Sequence, residues 1–326
     1  MKALVCSEFG STQNLTLEDA GAPEPSAGQV LIDVHAAGVN FPDILTVQGK
    51  YQFKPKLPFT PGTEVSGVVT KVGEGVTTRK VGDEVFGTVQ TGAFASEVVT
   101  SEYSTFLKGS MSFEQAAGFA VTYGTSYYAL KQRACLIPGE TVLVLGAAGG
   151  VGIATIQIAK AMGASVIAAA SSEEKLDFAQ KAGADIRLNY SKESLKEKVK
   201  ELTEGNGADV IYDPVGGDFS EQAFRAVAWN GRFLVIGFAS GPIPKIPLNL
   251  ALLKGASLVG VFWGAWAARE PIESQNNFSQ LVDLVDRGKF SPLVSEIFKL
   301  EDHSSAFACI EERRAKGKVV LSMKYF

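Results

Sequence analysis

Apolar and polar positions change their period partway along the chain. Early on, Lys2–Cys6, Gln29–Ala37, Glu64–Val72, Glu84–Val89 and Phe94–Val99 are short runs rich in β-formers. Between them lie Pro- and Gly-bearing clusters such as Ala22–Gly28, Lys54–Gly62 and Gly73–Gly82. This spacing predicts a compact, mostly β domain. Ser112–Tyr128 then turns helical in period, with Ser112 and Gln115 placed to form a capping box. From Thr141 strand-like runs alternate with helical ones. Val142–Leu145, Ser165–Ala170, Ile186–Leu188, Val210–Tyr212, Arg232–Ile236 and Ser257–Phe262 read as strands. Gly152–Met162, Glu173–Ala182, Lys196–Leu202 and Phe219–Ala228 read as helices. Such alternation predicts an α/β domain, a doubly wound parallel sheet covered on both faces. Gln275–Arg287 is an amphipathic helix, and the helix-like Ser304–Ala315 precedes a closing strand at Lys318–Met323. That tail is too short for a third domain and is expected to return to the first.

The pivot of this pattern is Val142–Gly152, VLVLGAAGGVG, an apolar run ending in a glycine-rich turn. Ala147, Gly149 and Gly152 fall at the three small positions of a dinucleotide fingerprint, with alanine in place of the first glycine. The small residues allow a sharp turn, close approach of a pyrophosphate and tight helix–strand packing. Free amides at the helix start are then placed to face phosphates, with Ala148, Gly149, Gly150 and Val151 as the cofactor-binding residues. Glycine-rich packing alone would also explain the turn.

Composition narrows the class. At 326 residues the chain exceeds a single core, so two domains are expected. A net charge of −4 with interspersed signs, and no basic arm, argues against nucleic acid as the main partner. Cys6, Cys135 and Cys309 are odd in number and far apart, which suggests reduced thiols in the cytoplasm rather than disulfides or a zinc knuckle. Met1–Cys6 is too short for a signal-peptide core, and the apolar stretch Thr141–Ala170, interrupted by Lys160 and glycines, suits buried parallel strands rather than a membrane span.

The second strand of the α/β region ends in Ala170, Ser171 and Ser172, with Lys175 one turn into the next helix. An acid at that strand end would favour NAD, whereas its absence beside a cation favours the phosphorylated cofactor. Ser171, Ser172 and Lys175 therefore read as a cradle for a 2′-phosphate and the cofactor as NADPH. Lys175 could also be an ordinary exposed helix lysine, and Glu173 and Glu174 could simply favour a helix N-terminus.

Gly139–Lys160, GETVLVLGAAGGVGIATIQIAK, resembles the motif of the quinone oxidoreductase and zeta-crystallin family of the medium-chain dehydrogenase/reductase superfamily. The likeness continues through GVNFPD at Gly38–Asp43, PGTEVSG at Pro61–Gly67, VGDEVFG at Val81–Gly87, YDPVGG at Tyr212–Gly217 and GKVVL at Gly317–Leu321. It implies a GroES-like catalytic domain over 1–122 and 268–326, a Rossmann domain over 123–267, and cofactor in the cleft. It also implies a homodimer or homotetramer, often joined through an edge strand, here Ser257–Phe262. Where zinc-dependent members of the superfamily have a ligand cysteine and histidine, this chain has Asn40 and Thr63. With His35 and His303 as the only histidines, no metal site is expected. NADPH-dependent hydride transfer to a quinone without zinc is then the first reading.

The same resemblance implies the site residues. Asn40 and Asp43 would line the nicotinamide end, although Asn40 also suits a helix cap and Asp43 a first-turn acid. Tyr51, in QGKY, would donate a proton or orient the acceptor, or form an aromatic wall. Thr122 would approach the nicotinamide and Tyr190 the adenine ribose. Val215 to Gly217 would permit close backbone approach, while Phe238, Phe262, Trp263 and Gly264 would frame the nicotinamide. Lys318 would reach back from the tail, and Arg314 would meet a phosphate or form a surface salt bridge. Trp263, Trp266 and Phe41 would make an apolar wall or pack in the core. Two alternatives stay open. One is an enone or enoyl-thioester reductase, with Lys50, Lys54 and Lys56 available for a CoA ester. The other is a zeta-crystallin-like structural or RNA-binding protein.

Overall fold

The computed structural model describes residues 1–324. The chain divides into two compact units, Met1–Val121 with the chain from Glu270 onward, and Thr122–Arg269. Among the described residues no helix is long and apolar enough to cross a membrane.

The first unit is built on a seven-stranded sheet. Its path runs Val294–Lys299, Lys318–Ser322, Gln29–Val39, Glu64–Val72, Glu84–Thr88 and Thr105–Leu107, and Glu97–Ser101 also pairs with Gln29–Val39. The pairings are antiparallel except that of Val294–Lys299 with Lys318–Ser322. Val294–Lys299 is invisible to period-two reading because its exposed Glu296 and Ile297 break the alternation. Gln29–Val39 is central, and its inward Val30, Ile32 and Val34 pack with Val65, Val69, Val85, Phe94 and Phe307 in one apolar core. The tail joins this unit by burial. Phe278, from the helix Pro271–Asp286, is 1% exposed and meets Phe106 at 4.0 Å between ring centroids and Phe86 at 5.4 Å.

Ser112–Tyr128 is not one helix. The capping box forms as the sequence suggests, Gln115 N–H donating to Ser112 Oγ at 3.2 Å and Ser112 N–H to Gln115 Oε1 at 3.1 Å. Phe113–Ala117 then stops, and helix resumes at Ala120–Tyr128. The Lys318 stem passes close to the interruption: a Cβ at Gly118 would lie 2.4 Å from its Cγ, so only glycine fits there.

The second unit carries a six-stranded sheet, parallel throughout. In space the order is Ile186–Asn189, Ser165–Ala170, Thr141–Leu145, Ala208–Asp213, Val227–Val235 and Ser257–Gly260. This is the 3-2-1-4-5-6 order of a dinucleotide-binding sheet, whose direction reverses between the first and fourth strands. The near-continuous apolar runs follow from this arrangement, since Val142, Leu143, Val144, Val166 and Ile167 are buried on both faces. The last strand ends at Gly260, two residues short of the expected Phe262, because helix begins at Trp263.

Candidate functional site

In the first unit, chemistry gathers at the start of the short helix Phe41–Val47. Asn40 caps it in an extended conformation, and Asp43 reaches back, its Oδ2 accepting the Asn40 backbone N–H at 2.8 Å. The sequence left cap and site roles open for these residues; the geometry shows both as cap partners. Their side chains also enter a buried polar cluster. Asn40 Nδ2 donates to Glu64 Oε1 at 2.8 Å, and Lys318 Nζ donates to Asn40 Oδ1 at 2.6 Å and pairs with the same Glu64 oxygen. The other Glu64 oxygen accepts the Val121 N–H at 2.9 Å, and Thr63 Oγ1 donates to Asp43 Oδ1 at 3.1 Å. Glu64 is 0%, Asp43 1%, Lys318 6% and Asn40 7% exposed.

The cluster holds two carboxyl groups and one ammonium in a water-poor space. Burial pushes the Asp43 carboxyl up to about 7, against the lowering influence of the Asn40 N–H and of Lys318, while Glu64 adds to the rise. At neutral pH the group is thus poised to hold or release one proton. Tyr51 lies half-buried just beyond the helix, and burial raises its phenol, with the Asp43 charge adding to the effect. Glu64 escaped sequence reasoning, although PGTEVSG contains it. Its signal is an acid opening a strand that carries Val65, Val68 and Val69, where burial of the acid requires a partner.

Asn40 and Thr63, the positions compared with metal ligands, are engaged with Glu64, Lys318 and Asp43. His35 rests against the Phe113 ring at 4.1 Å, and His303 Nδ1 lies 3.2 Å from the Leu300 carbonyl. Among the described residues no three His, Cys, Asp or Glu side chains are disposed to hold a metal ion.

In the second unit the glycine turn follows the first strand. Helix begins at Gly150, two residues before the expected Gly152, because the Gly149 carbonyl already accepts the Ile153 N–H at 2.9 Å. Gly149 is the cap, and Ala148 is buried behind it. A Cβ at Gly152 would sit 2.5 Å from the Gly146 carbonyl, so helix and turn are in backbone contact. Gly150, Val151 and Gly152 open the helix with no capping side chain and no acid in the first turn. This geometry fits a phosphate-bearing group.

Asp213, at the end of the fourth strand and also missed from sequence, organises the neighbouring turn. Its Oδ1 accepts the N–H groups of Val215 at 2.8 Å and Gly216 at 2.9 Å, and Ser220 donates to its other oxygen. Burial raises its carboxyl, while those donors oppose the rise. The turn packs against Phe238: a Cβ at Gly216 would lie 2.9 Å from that ring.

Beyond the second strand, Ser172 caps the next helix, its Oγ accepting the Lys175 N–H at 3.3 Å. Ser171 is exposed, and its carbonyl accepts from Ser191 Oγ at 3.1 Å, which brings the Tyr190 turn alongside. The Tyr190 ring packs on Phe219 at 4.5 Å. Glu173 is bound by Asn189 Nδ2 at 2.7 Å, Arg187 Nη2 at 2.9 Å and Lys192 Nζ at 3.0 Å. These partners hold its carboxyl below the usual range. Ser171, Ser172, Lys175 and Tyr190 therefore share one neighbourhood.

The remaining residues are more dispersed. Thr122 is buried at the start of the helix Ala120–Tyr128. Phe262 is exposed, Trp263 and Gly264 begin the helix Trp263–Arg269, and Trp266 stacks on Tyr128 at 4.4 Å. Of the two roles open to Arg314, the structure displays the surface salt bridge, with Glu312 at 2.6 Å.

Comparison with known proteins places this geometry among relatives. The family model for the alcohol dehydrogenase GroES-like domain matches residues 26–140, and that for the zinc-binding dehydrogenase matches 150–287. The chain is 42% identical to quinone oxidoreductase-like protein 2 homolog of Nematostella vectensis, over 99% of this chain and 89% of that one. It is similar in structure to the Escherichia coli quinone oxidoreductase solved with NADPH, at TM-score 0.90 and 29% identity, covering 99% and 100% of the two chains. It also resembles the CurK enoyl reductase, at TM-score 0.89 and 30% identity, covering 98% of each.

Proposed function

The chain belongs to the quinone oxidoreductase family of the medium-chain dehydrogenase/reductase superfamily, and from that premise we propose an NADPH-dependent reductase of quinones that works without zinc. It is an oxidoreductase of this family. The observation that carries the cofactor reading is the end of the second strand. Ser171 and Ser172 lie there with Lys175 in the first turn of the following helix, and the nearest acid, Glu173, is tied to Asn189, Arg187 and Lys192. No free carboxylate is offered to a ribose 2′-hydroxyl at the strand end, which favours a 2′-phosphate. The E. coli relative was solved with NADPH, which supports the same reading.

When bound, NADPH supplies the hydride. The chain's own groups bind, orient and move the proton. The uncapped amides of Gly150, Val151 and Gly152 would hold the pyrophosphate, and Gly216 would let the backbone approach closely. Phe238, Phe262, Trp263 and Gly264, with Thr122, would frame the nicotinamide. In the first unit Lys318 and Glu64 fix both ends of the Asn40 amide, so Asn40 presents one orientation. The Tyr51 phenol would give its proton to the acceptor oxygen as charge develops there. Arg314, if released from Glu312, adds a cation for a phosphate.

The matching dehydrogenase model is described as zinc-binding, but an amide and a hydroxyl replace the superfamily's cysteine and histidine here, and both are held by buried partners. Such donors are poor zinc ligands. Without a Lewis acid, an already polarised acceptor is the chemistry that remains. An enone or enoyl thioester satisfies the same requirement, and the likeness to an enoyl reductase favours it as the second reading.

Self-association as a homodimer or homotetramer is assigned to the sheet edge Ser257–Gly260. Leu258 is exposed there, as are Leu252 and Leu253 on the preceding helix. The free cysteines, two of them buried, support a reducing compartment such as the cytoplasm. The deciding experiment is an oxidation screen with NADPH and NADH against ortho- and para-quinones, enones and short enoyl-CoA esters. Quinone turnover with NADPH supports the first reading, and turnover confined to enones or enoyl-CoA esters replaces it with the second.

A further inference from the structure

Lys175, expected to contact a 2′-phosphate, is not the sole ammonium at the end of the second strand. Asn189, 5% exposed, shapes the adjoining turn. Its Oδ1 accepts the Ser191 N–H at 3.1 Å, and its carbonyl accepts the Lys192 N–H at 3.0 Å. Its Nδ2 grips Glu173 at 2.7 Å, while Ser191 Oγ ties the turn to Ser171 at 3.1 Å. The result sets the Lys192 ammonium 3.0 Å from Glu173, the residue immediately after Ser172. Arg187 is less free to move: it is divided between Glu173 at 2.9 Å and Asp177 at 2.7 Å. Among the described residues Lys192 pairs with one carboxylate, and its side chain is 66% exposed, so leaving costs it little.

We propose that Lys192 is a specificity-determining residue that exchanges counter-ions, leaving Glu173 to clamp the 2′-phosphate opposite Lys175 when the phosphorylated cofactor binds. The inference rests on the NADPH reading above. Two physical points carry it. A phosphate monoester brings close to two negative charges at pH 7, more than one lysine neutralises. Glu173, meanwhile, is anchored by the buried Asn189 and by Arg187, so it keeps two partners after Lys192 departs. Glu173 thus acts as a holder that competes with the phosphate for Lys192. Without the phosphate, Lys192 stays on Glu173 and neutralises the acid nearest the ribose.

The test uses cofactor fragments bearing and lacking the phosphate, 2′,5′-ADP and 5′-AMP, titrated calorimetrically into the full chain. Lys192→Met should weaken 2′,5′-ADP by about fivefold and leave 5′-AMP unchanged, as expected for one exposed charge-assisted contact. Glu173→Gln should tighten 2′,5′-ADP, and that gain should vanish in the Lys192→Met/Glu173→Gln double variant, because the released lysine is its source. Unchanged melting temperatures would show that the exposed substitutions leave the fold intact. If the native chain prefers 2′,5′-ADP but Lys192→Met leaves that preference untouched, the exchange is overturned and the NADPH reading stands. A gain from Glu173→Gln that survives without Lys192 overturns it too, since repulsion alone then explains the gain. A native chain that binds both fragments alike overturns the NADPH reading and the exchange together.

Discussion

Lys318 Nζ donates to Asn40 Oδ1 at 2.6 Å across 278 positions of sequence, and both side chains are withdrawn from water. The same ammonium pairs with Glu64, which in turn accepts from Asn40. Breaking this pair from one side leaves an uncompensated buried charge. Lys318→Met and Glu64→Gln should each lower unfolding free energy by about 3–5 kcal/mol, and the double variant should recover much of the loss. Urea denaturation of the three variants would show it, and additive losses would contradict the pairing.

Asp43 makes stability pH-dependent in a defined sense. Burial holds its folded-state carboxyl at about 7, well above the ordinary range of an aspartate. The folded state therefore holds the proton more tightly than the unfolded one. The contribution is fully present below about pH 4 and is lost as pH rises through about 7. Unfolding free energies of the native chain and of Asp43→Asn, measured over that window, should diverge as pH rises, with the native chain losing ground. Parallel curves would place the Asp43 carboxyl in the ordinary range.

Tyr51→Phe separates proton donation from wall-building. Loss of a positioned general acid costs about 10²–10⁴ in turnover. The variant should show that loss in kcat on quinones or enones while the KM for NADPH stays near the native value. Full turnover on both acceptor classes would leave Tyr51 as an apolar wall only.

Lys175→Ala addresses cofactor choice. The KM for NADPH should rise by about tenfold or more, the scale of one charge-assisted contact, and that for NADH should change little. Equal effects on both would remove Lys175 from the phosphate pocket. Steady-state kinetics with each cofactor decides the matter.

The parallel sheet is legible in the sequence because its signals are local. Each buried strand is a short apolar run, each crossover helix follows within a few residues, and the Gly149–Gly152 turn marks where strand becomes helix. Residues at one strand end, such as Ser171, Ser172 and Lys175, are also adjacent in sequence and therefore visible together. The Val294–Lys299 strand and the close approach of the Lys318 stem to Gly118 leave no such trace, since both depend on segments far apart in the chain.

Asn40, Glu64 and Lys318 belong to three distant segments, and no periodicity links an acid in one strand to a lysine in the closing strand. Likewise, sequence places Glu173 at a helix start, but only folding brings Asn189, Arg187 and Lys192 onto its carboxylate. Sequence by itself determined the alternation of strand and helix, the glycine turn between the first strand and its helix, and the family likeness, because these depend on neighbours along the chain. Tertiary structure alone decided which charges are buried together and which acid is neutralised, because electrostatic pairing depends on distance through space.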